Sequence, residues 1–370
     1  MAKNIFRRAF KSVCLTITIV LAVLFLLACL SPYIDPTTWW FNGFTGLLVP
    51  YLILLLFFAC LFWLVFKPKL FWIPLLSLCF GWQQIMVVFA WHPGAGFTKK
   101  KNAQNLRIVD WNIQSFNGLS KNKEIKKLIR TELTESILKM QPDIICLQEF
   151  NNSTQANGTD NLSLFTKAYP YYYFSKDYQR AQGNYQSGSV IFSRYPIIDT
   201  GRIAYPVAES LIFADIVKGY DTIRVLTTHL QSFKFKKEDY NDIEKIKEQD
   251  QETVSASLNI FRKMKLAFAR RGSQSNIVRT ERDKSKYPTI ICGDFNDVPN
   301  SYTYFNIKGD WQDAHLNKGF GIGRTFNSLA PTLRIDYILA DNNFTIKQFD
   351  LVDEDLSDHI MLVTDLRVKK

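Results

Sequence analysis

Residues 289–304 read TIICGDFNDVPNSYTY. Thr289 to Cys292 is a short apolar run rich in β-branched residues, which reads as a buried strand. Gly293 follows it, and Asp294, Asn296 and Asp297 then crowd into a few polar positions. Asp297, with the Val-Pro after it, has the chemistry of a turn. Two carboxylates and an amide packed against the end of a buried strand raise a functional question, because ligands of α/β proteins collect at strand ends.

The same arrangement recurs along the chain. LRIVDWNI (106–113) ends near Asn112, DIICLQEF (143–150) ends on Gln148 and Glu149, and TIRVLTTHL (222–230) ends near His229. LRIDYILAD (333–341) carries Asp336, and HIMLVTDLRV (359–368) is preceded by Ser357 and Asp358 and opens on His359. SGSVIFSRYPI (187–197) and SLIFADIV (210–217) read as further strands, and YPYYYF (169–174) as either a buried strand or an aromatic insertion. Apolar positions at Ile125, Leu128, Ile129, Leu133 and Ile137 mark a helix over 123–140 that Pro142 stops. A second, charged helical stretch covers about 236–270. Many strands with few helices imply an α/β fold of two packed sheets with helices outside.

If those strand ends converge, Asn112, Glu149, His229, Asp294, Asn296, Asp336, Asp358 and His359 form a basin of carboxylates and amides with two imidazoles and no thiolate. Such donors suit a hard cation, Mg²⁺ or Mn²⁺. A cation there neutralises phosphoryl oxygens, a carboxylate deprotonates water, and imidazole stabilises developing charge.

Before residue 102 the chain is different. Residues 12–30, 44–66 and 70–91 are almost wholly apolar and each is close to the ~20 residues that cross a bilayer. Three transmembrane helices (1–101) followed by a catalytic domain (102–370) is the expected organisation. No acidic or basic residue lies within the spans, which argues against a transporter. The net charge of +11 is concentrated at the membrane flanks, with nine Lys/Arg against one acid before residue 102 and 36 against 33 after it. The domain itself therefore lacks the strong basic balance of a dedicated nucleic-acid binder. Lys3, Arg7, Arg8 and Lys11 precede the first span, and Lys67 and Lys69 link the second to the third. That pattern places the N-terminus in the cytoplasm and the domain outside it; Lys99–Lys101 point the other way, but long domains translocate regardless of nearby charge. LLAC (26–29) loosely resembles a lipoprotein cleavage site, although a signal-anchor helix fits better with two more spans following. Cys146 and Cys292 lie in apolar runs and read as reduced core cysteines. The stretch 262–279 holds Arg262, Lys263, Lys265, Arg270, Arg271 and Arg279 and no acid; it reads as a charged helix face, or as a contact for anionic lipid headgroups. Arg324 and Arg334 are placed where they border a substrate or serve structure.

IVDWNIQSF, DIICLQEF, SGSVIFSRYPI, VLTTHLQS, IICGDFNDVP, LRIDYIL and LSDHIML, in that order, resemble the endonuclease/exonuclease/phosphatase superfamily over about residues 104–368. The resemblance implies a four-layer α/β/β/α sandwich and a metal-dependent phosphoesterase. It implies Glu149 as main metal ligand, with Asn112 beside it completing the metal and phosphate environment and Asp358 as an accessory metal-side carboxylate. It further implies Asp294 as general base, Asn296 as the amide orienting water and phosphate, His359 facing the scissile phosphate under the guidance of Asp336, and His229 as a second phosphate contact. The expected partners are a phosphate ester (nucleic acid, phospholipid or small phosphodiester) and the bilayer, with no protein partner. A binding module that has lost turnover is the alternative reading.

Overall fold

A computed structural model describes residues 2–94, 96–117, 122–155, 158–235, 239 and 253–369. Two sheets face each other. The first runs in the order Phe344–Val352, Met361–Val368, Leu106–Asn112, Ile144–Ser153, Tyr185–Ser193 and Tyr171–Phe174, with Tyr178–Arg180 also paired to Tyr185–Ser193. The second runs Gln312–Asp313, Asp336–Ala340, Thr289–Asp294, Asp221–His229, Ser210–Lys218 and Ile197–Ala204. Each sheet is antiparallel except for one central parallel pair: Leu106–Asn112 with Ile144–Ser153, and Thr289–Asp294 with Asp221–His229. Strands buried on both faces lose the period-two alternation; Ile144–Ser153 and Thr289–Asp294 accordingly begin as apolar runs, while Leu106–Asn112 and Asp221–His229 carry Arg107, Asp110 and Arg224 among their apolar residues.

Between the sheets, Ile108, Ile144 and Ile191 of the first pack with Ile212, Val225, Ile290 and Ile338 of the second. The outer face of the first sheet is covered by the helix Lys123–Lys139, through Leu133 and Ile137. The outer face of the second is covered by Thr253–Asp283 and Tyr302–Lys308, through Val278, Tyr304 and Ile307. This is the expected α/β/β/α sandwich. The long helix extends to Asp283, past the expected end; of the expected stretch, 236–238 and 240–252 lie outside the described residues. Tyr171–Phe174 is an edge strand with Tyr171 and Tyr172 exposed.

At the N-terminus, Ala2–Ala28 and Asn42–Phe66 are long, apolar and antiparallel, and both are long enough to cross a membrane. Trp63 Nε1 donates to Thr18 Oγ1 (2.9 Å), so the basic residues 3–11 lie at the same end as Lys67 and Lys69. The third expected span, 70–91, is broken. It forms two helices, Trp72–Phe80 and Trp82–Val88, bent by 67°. The break falls at Gly81, which packs so closely on the first helix that a Cβ there would overlap the Phe25 ring. Beyond it, Ala90–Trp91 pairs with Phe320–Gly321 of the domain.

Contacts between the helices and the domain are close. Gly43 lies against Phe268, and a Cβ on Gly46 would stand 2.9 Å from the Asn300 carbonyl oxygen. Arg334 Nη2 donates to Val87 O (2.7 Å) while Nη1 donates to Asp313 Oδ2 (2.6 Å), so Arg334 is a buried structural cation and does not border a substrate. The acid-free stretch also resolves into separate tasks. Lys263 pairs with Asp239, Lys265 lies over the Trp40 ring, Arg279 donates to Asn306 Oδ1, and Arg271 is fully buried. It is therefore mostly committed to internal contacts rather than to lipid.

Candidate active site

The register of the second sheet makes the centre of the site. Asp294 lies beside His229 on the parallel neighbour and opposite Asp336 on the antiparallel one, which puts the three in one row at the sheet edge. The close parallel pairing explains Gly293: its φ is +139° and a Cβ would collide with the Thr228 carbonyl oxygen. On the first sheet Asn112 lies beside Gln148. The Ile144–Ser153 strand then bulges between Leu147 and Phe150, with Glu149 at φ +51°. Bulges re-aim side chains, and here the bulge turns Glu149 towards the row on the other sheet.

The side chains meet there. Asn112 Nδ2 donates to Asp294 Oδ2 (3.1 Å) and to Glu149 Oε1 (3.3 Å), joining the two sheets. Turned this way it positions both carboxylates through its N–H. His359 Nδ1 lies 3.0 Å from both Asp336 oxygens, and its Nε2 stands 3.7 Å from Asp294 Oδ2. His229 repeats the plan from the opposite side, with Nδ1 3.7 Å from Glu209 Oε2 and Nε2 3.5 Å from Asp294 Oδ2. Two imidazoles, each steered by a carboxylate, converge on one oxygen.

Asn296 has φ +52° and spends its side-chain N–H on Leu230 O (3.0 Å), so what it gives Asp294 directly is its backbone N–H (2.8 Å to Oδ1). Asp358 accepts from Gln114 Nε2 (3.0 Å). Asp297 is buried and accepts from Val298 N (3.0 Å), as a turn residue does, and it pairs with Arg271 (3.3 Å).

The electrostatics follow from this packing. Burial first, and Asp336 second, push the Asp294 carboxyl up to about 6, while His359, His229 and the Asn296 N–H hold it back. For His359 burial opposes the charge, but Asp336 and Asp294 outweigh it and raise the imidazole to about 10. For His229 burial again opposes charge, and Glu209, Asp294 and Glu149 raise it above the usual histidine value. Burial raises Asp358, with Glu149 adding to the effect. A cluster of oxygen donors whose carboxylates repel one another is the environment a hard divalent cation relieves.

All eight expected residues therefore come together. Glu149, His229, Asp294, Asn296, Asp358 and His359 line one cleft of about 170 Å³, with Asn112 and Asp336 bonded behind them. Sequence reading missed two supporting side chains. Glu209, in the loop before Ser210–Lys218, and Gln114, at the start of the short helical segment Gln114–Asn117, have φ of +70° and +45°, and nothing in their own segments marks the partners they meet.

Residues 111–359 match the model of the "Endonuclease/Exonuclease/phosphatase family", and residues 11–88 match that of a domain of unknown function. Among curated proteins none matches the chain. Similar solved structures include an endonuclease/exonuclease/phosphatase from Beutenbergia cavernae (21% identity, 72% of each chain, TM-score 0.48). The human Nocturnin catalytic domain with bound sulfate is 19% identical over 72% of this chain and 94% of that one, with a TM-score of 0.49. A humanized D. rerio TDP2 is 15% identical over 72% of this chain and all of that one, with a TM-score of 0.48. The family match spans the strand ends that build the cleft, and the chain belongs to the endonuclease/exonuclease/phosphatase family, a class of phosphate-ester hydrolases.

Proposed function

We propose that the chain is a membrane-anchored, divalent-metal-dependent phosphoesterase that attacks phosphorus directly with water. The observation that carries this reading is the convergence of two carboxylate-steered imidazoles on Asp294, beside Glu149. Glu149 and Asp358 are the carboxylates that would hold Mg²⁺ or Mn²⁺, which when bound supplies charge neutralisation at the phosphate.

The chain's own residues do the rest. Asp294 takes a proton from water as its oxygen bonds to phosphorus. The backbone N–H of Asn296 holds Oδ1, leaving Oδ2 to face the cleft. His359, kept protonated by Asp336, points Nε2 at the same place and donates to a phosphoryl oxygen as negative charge builds. His229, steered by Glu209, does so from the other side. As the bond from phosphorus to the leaving oxygen breaks, that oxygen takes up a proton from solvent water and Asp294 releases to solvent the one it accepted, so that the attacking water has been divided between the two products.

The cytoplasmic N-terminus and extracytoplasmic domain are part of the same proposal, supported by the clustering of the basic flanks at the end of the helices away from the domain. The full chain in detergent should hydrolyse bis(p-nitrophenyl) phosphate with Mg²⁺ or Mn²⁺ and stop in EDTA. Phosphate binding without turnover under those conditions would mean a module that binds and does not cleave.

A further inference from the structure

The cleft is not built by the catalytic domain alone. Beside the polar groups, its walls are Leu47, Phe233, Phe235, Phe326, Leu329 and Leu333, and Leu47 belongs to the second apolar helix. From Leu47 to Phe66 that helix rises about 28 Å at ~1.5 Å per residue, close to the ~30 Å thickness of bilayer hydrocarbon. Lys67 and Lys69 follow at once. A helix seated in this way holds Leu47 at the membrane surface on the domain side. Tyr51 Oη, one turn further along the sequence, lies 3.3 Å from Thr332 Oγ1, so the loop from Ser328 to Leu333 touches the same helix. Its tip is Leu-Ala-Pro (329–331). Leu329 keeps 40% of its surface exposed while also lining the cleft, and its backbone is in the left-handed region at φ +71°.

The height of the cleft is fixed by backbone contact. Gly46 rests on the carbonyl of Asn300, three residues beyond Asp297. Besides the two imidazoles of the basin, the basic side chains in the cleft wall are Lys234, which is exposed, and Arg271, buried and paired with Asp297. A nucleic acid needs a track of basic residues along its phosphates; this wall offers mainly hydrocarbon at the level of lipid headgroups.

Resting on the phosphoesterase reading above, we propose that the substrate is a phosphate ester carried by a lipid of the same bilayer. Its headgroup rises past Lys234 into the basin, and its hydrocarbon remains against Leu47, Leu329 and Leu333. The anchor is then one wall of the substrate site as well as a tether.

The test uses the full chain reconstituted into vesicles of phosphatidylethanolamine, phosphatidylglycerol, phosphatidic acid, phosphatidylinositol phosphate and sphingomyelin. Loss of each parent lipid is followed by mass spectrometry. Bis(p-nitrophenyl) phosphate and a single-stranded oligonucleotide serve as soluble probes, and Asp294→Asn as the inactive control. At least one lipid should be consumed in an Asp294-dependent way. Leu329→Ser and Leu47→Ser should each lower lipid turnover at least tenfold more than they lower turnover of the soluble diester. If the soluble diester or the oligonucleotide is cleaved while every lipid persists, or if both substitutions lower lipid and diester turnover equally, the lipid assignment is overturned and the phosphoesterase reading stands. Failure to cleave any probe overturns both.

Discussion

Two polar rows lie about two residues apart along the same central strands, and they behave in opposite ways. The rim row is Asn112, Glu149, His229 and Asp294. One step inward, on the face between the sheets, are Asp110, Cys146, Thr227 and Cys292, with Gln148 bridging: its Nε2 donates to Asp110 Oδ1 (2.7 Å) and Thr227 Oγ1 (2.9 Å). Successive same-face residues are only about 7 Å apart. Yet Asp110, buried beside the Gln148 amide, has its pKa raised well above the usual carboxylate value, burial being the main cause. Asp294 is equally buried but reaches only about 6, because two imidazoles and a backbone N–H favour its charged form. Burial alone favours the neutral acid; burial opposed by nearby positive charge leaves a carboxyl suited, on the proposed mechanism, to act as a base near neutral pH.

The contrast breaks most visibly in turnover. Asp294→Asn should lower hydrolysis of bis(p-nitrophenyl) phosphate by about 10³–10⁴-fold, the scale of a lost general base together with disturbed charge stabilisation. Asp110→Asn, measured in the same assay, should stay within a few-fold of the parent chain. Full activity in Asp294→Asn would assign the base elsewhere.

Next in size is the metal. Asn112 is the positioning residue for Glu149, and Asn112→Ala should raise the Mg²⁺ or Mn²⁺ concentration for half-maximal turnover by about 10–100-fold, as loss of a ligand's support does. A titration of activity against metal reads this directly. Unchanged metal demand would remove Glu149 from the ligand set.

Smaller effects appear in stability. The folded state binds the Asp294 proton more tightly than the unfolded chain does, so the stability tied to that proton is complete below pH ~4 and is lost as pH rises through about 6. Metal-free Asp294→Asn lacks this loss. It should be more stable than the parent at pH 7.5 by about 1–3 kcal/mol, with the gap closing by pH 4. Paired urea denaturation curves at the two pH values test this.

The smallest change belongs to the inner row. Burial pushes the Asp110 carboxyl towards its neutral form; Asp110→Asn preserves its shape and its acceptor for Gln148, and should shift stability at pH 7 by less than about 1 kcal/mol. A loss of 3 kcal/mol or more would mean that the buried acid is ionised.

How much of this was legible in the sequence depends on how far each feature relies on distant partners. Ile144–Ser153 and Thr289–Asp294 announce themselves by apolar runs, Leu106–Asn112 and Asp221–His229 by β-branched residues interleaved with polar ones, and their polar ends mark Asn112, Glu149, His229 and Asp294 without any knowledge of the third dimension. Ile197–Ala204 and Phe344–Val352 escaped notice because they are only partly buried and interleave polar residues at Asp199, Arg202, Lys347 and Gln348. Glu209 and Gln114 were invisible for another reason: each lies outside the strands, and only the folded chain brings the imidazole of His229 or the carboxylate of Asp358 to it. Nor does the sequence near Gly81 show that this residue packs on Phe25, a contact between segments more than fifty residues apart.

The seat of Gly46 on the Asn300 carbonyl has a kinetic consequence. Once the helices are in a bilayer, the catalytic centre has no slack: it cannot lean outward to meet a molecule in solution, and it sweeps a thin sheet of space as the chain drifts sideways. Encounter rates would then follow the surface density of target phosphates, and diluting the suspension would leave them unchanged.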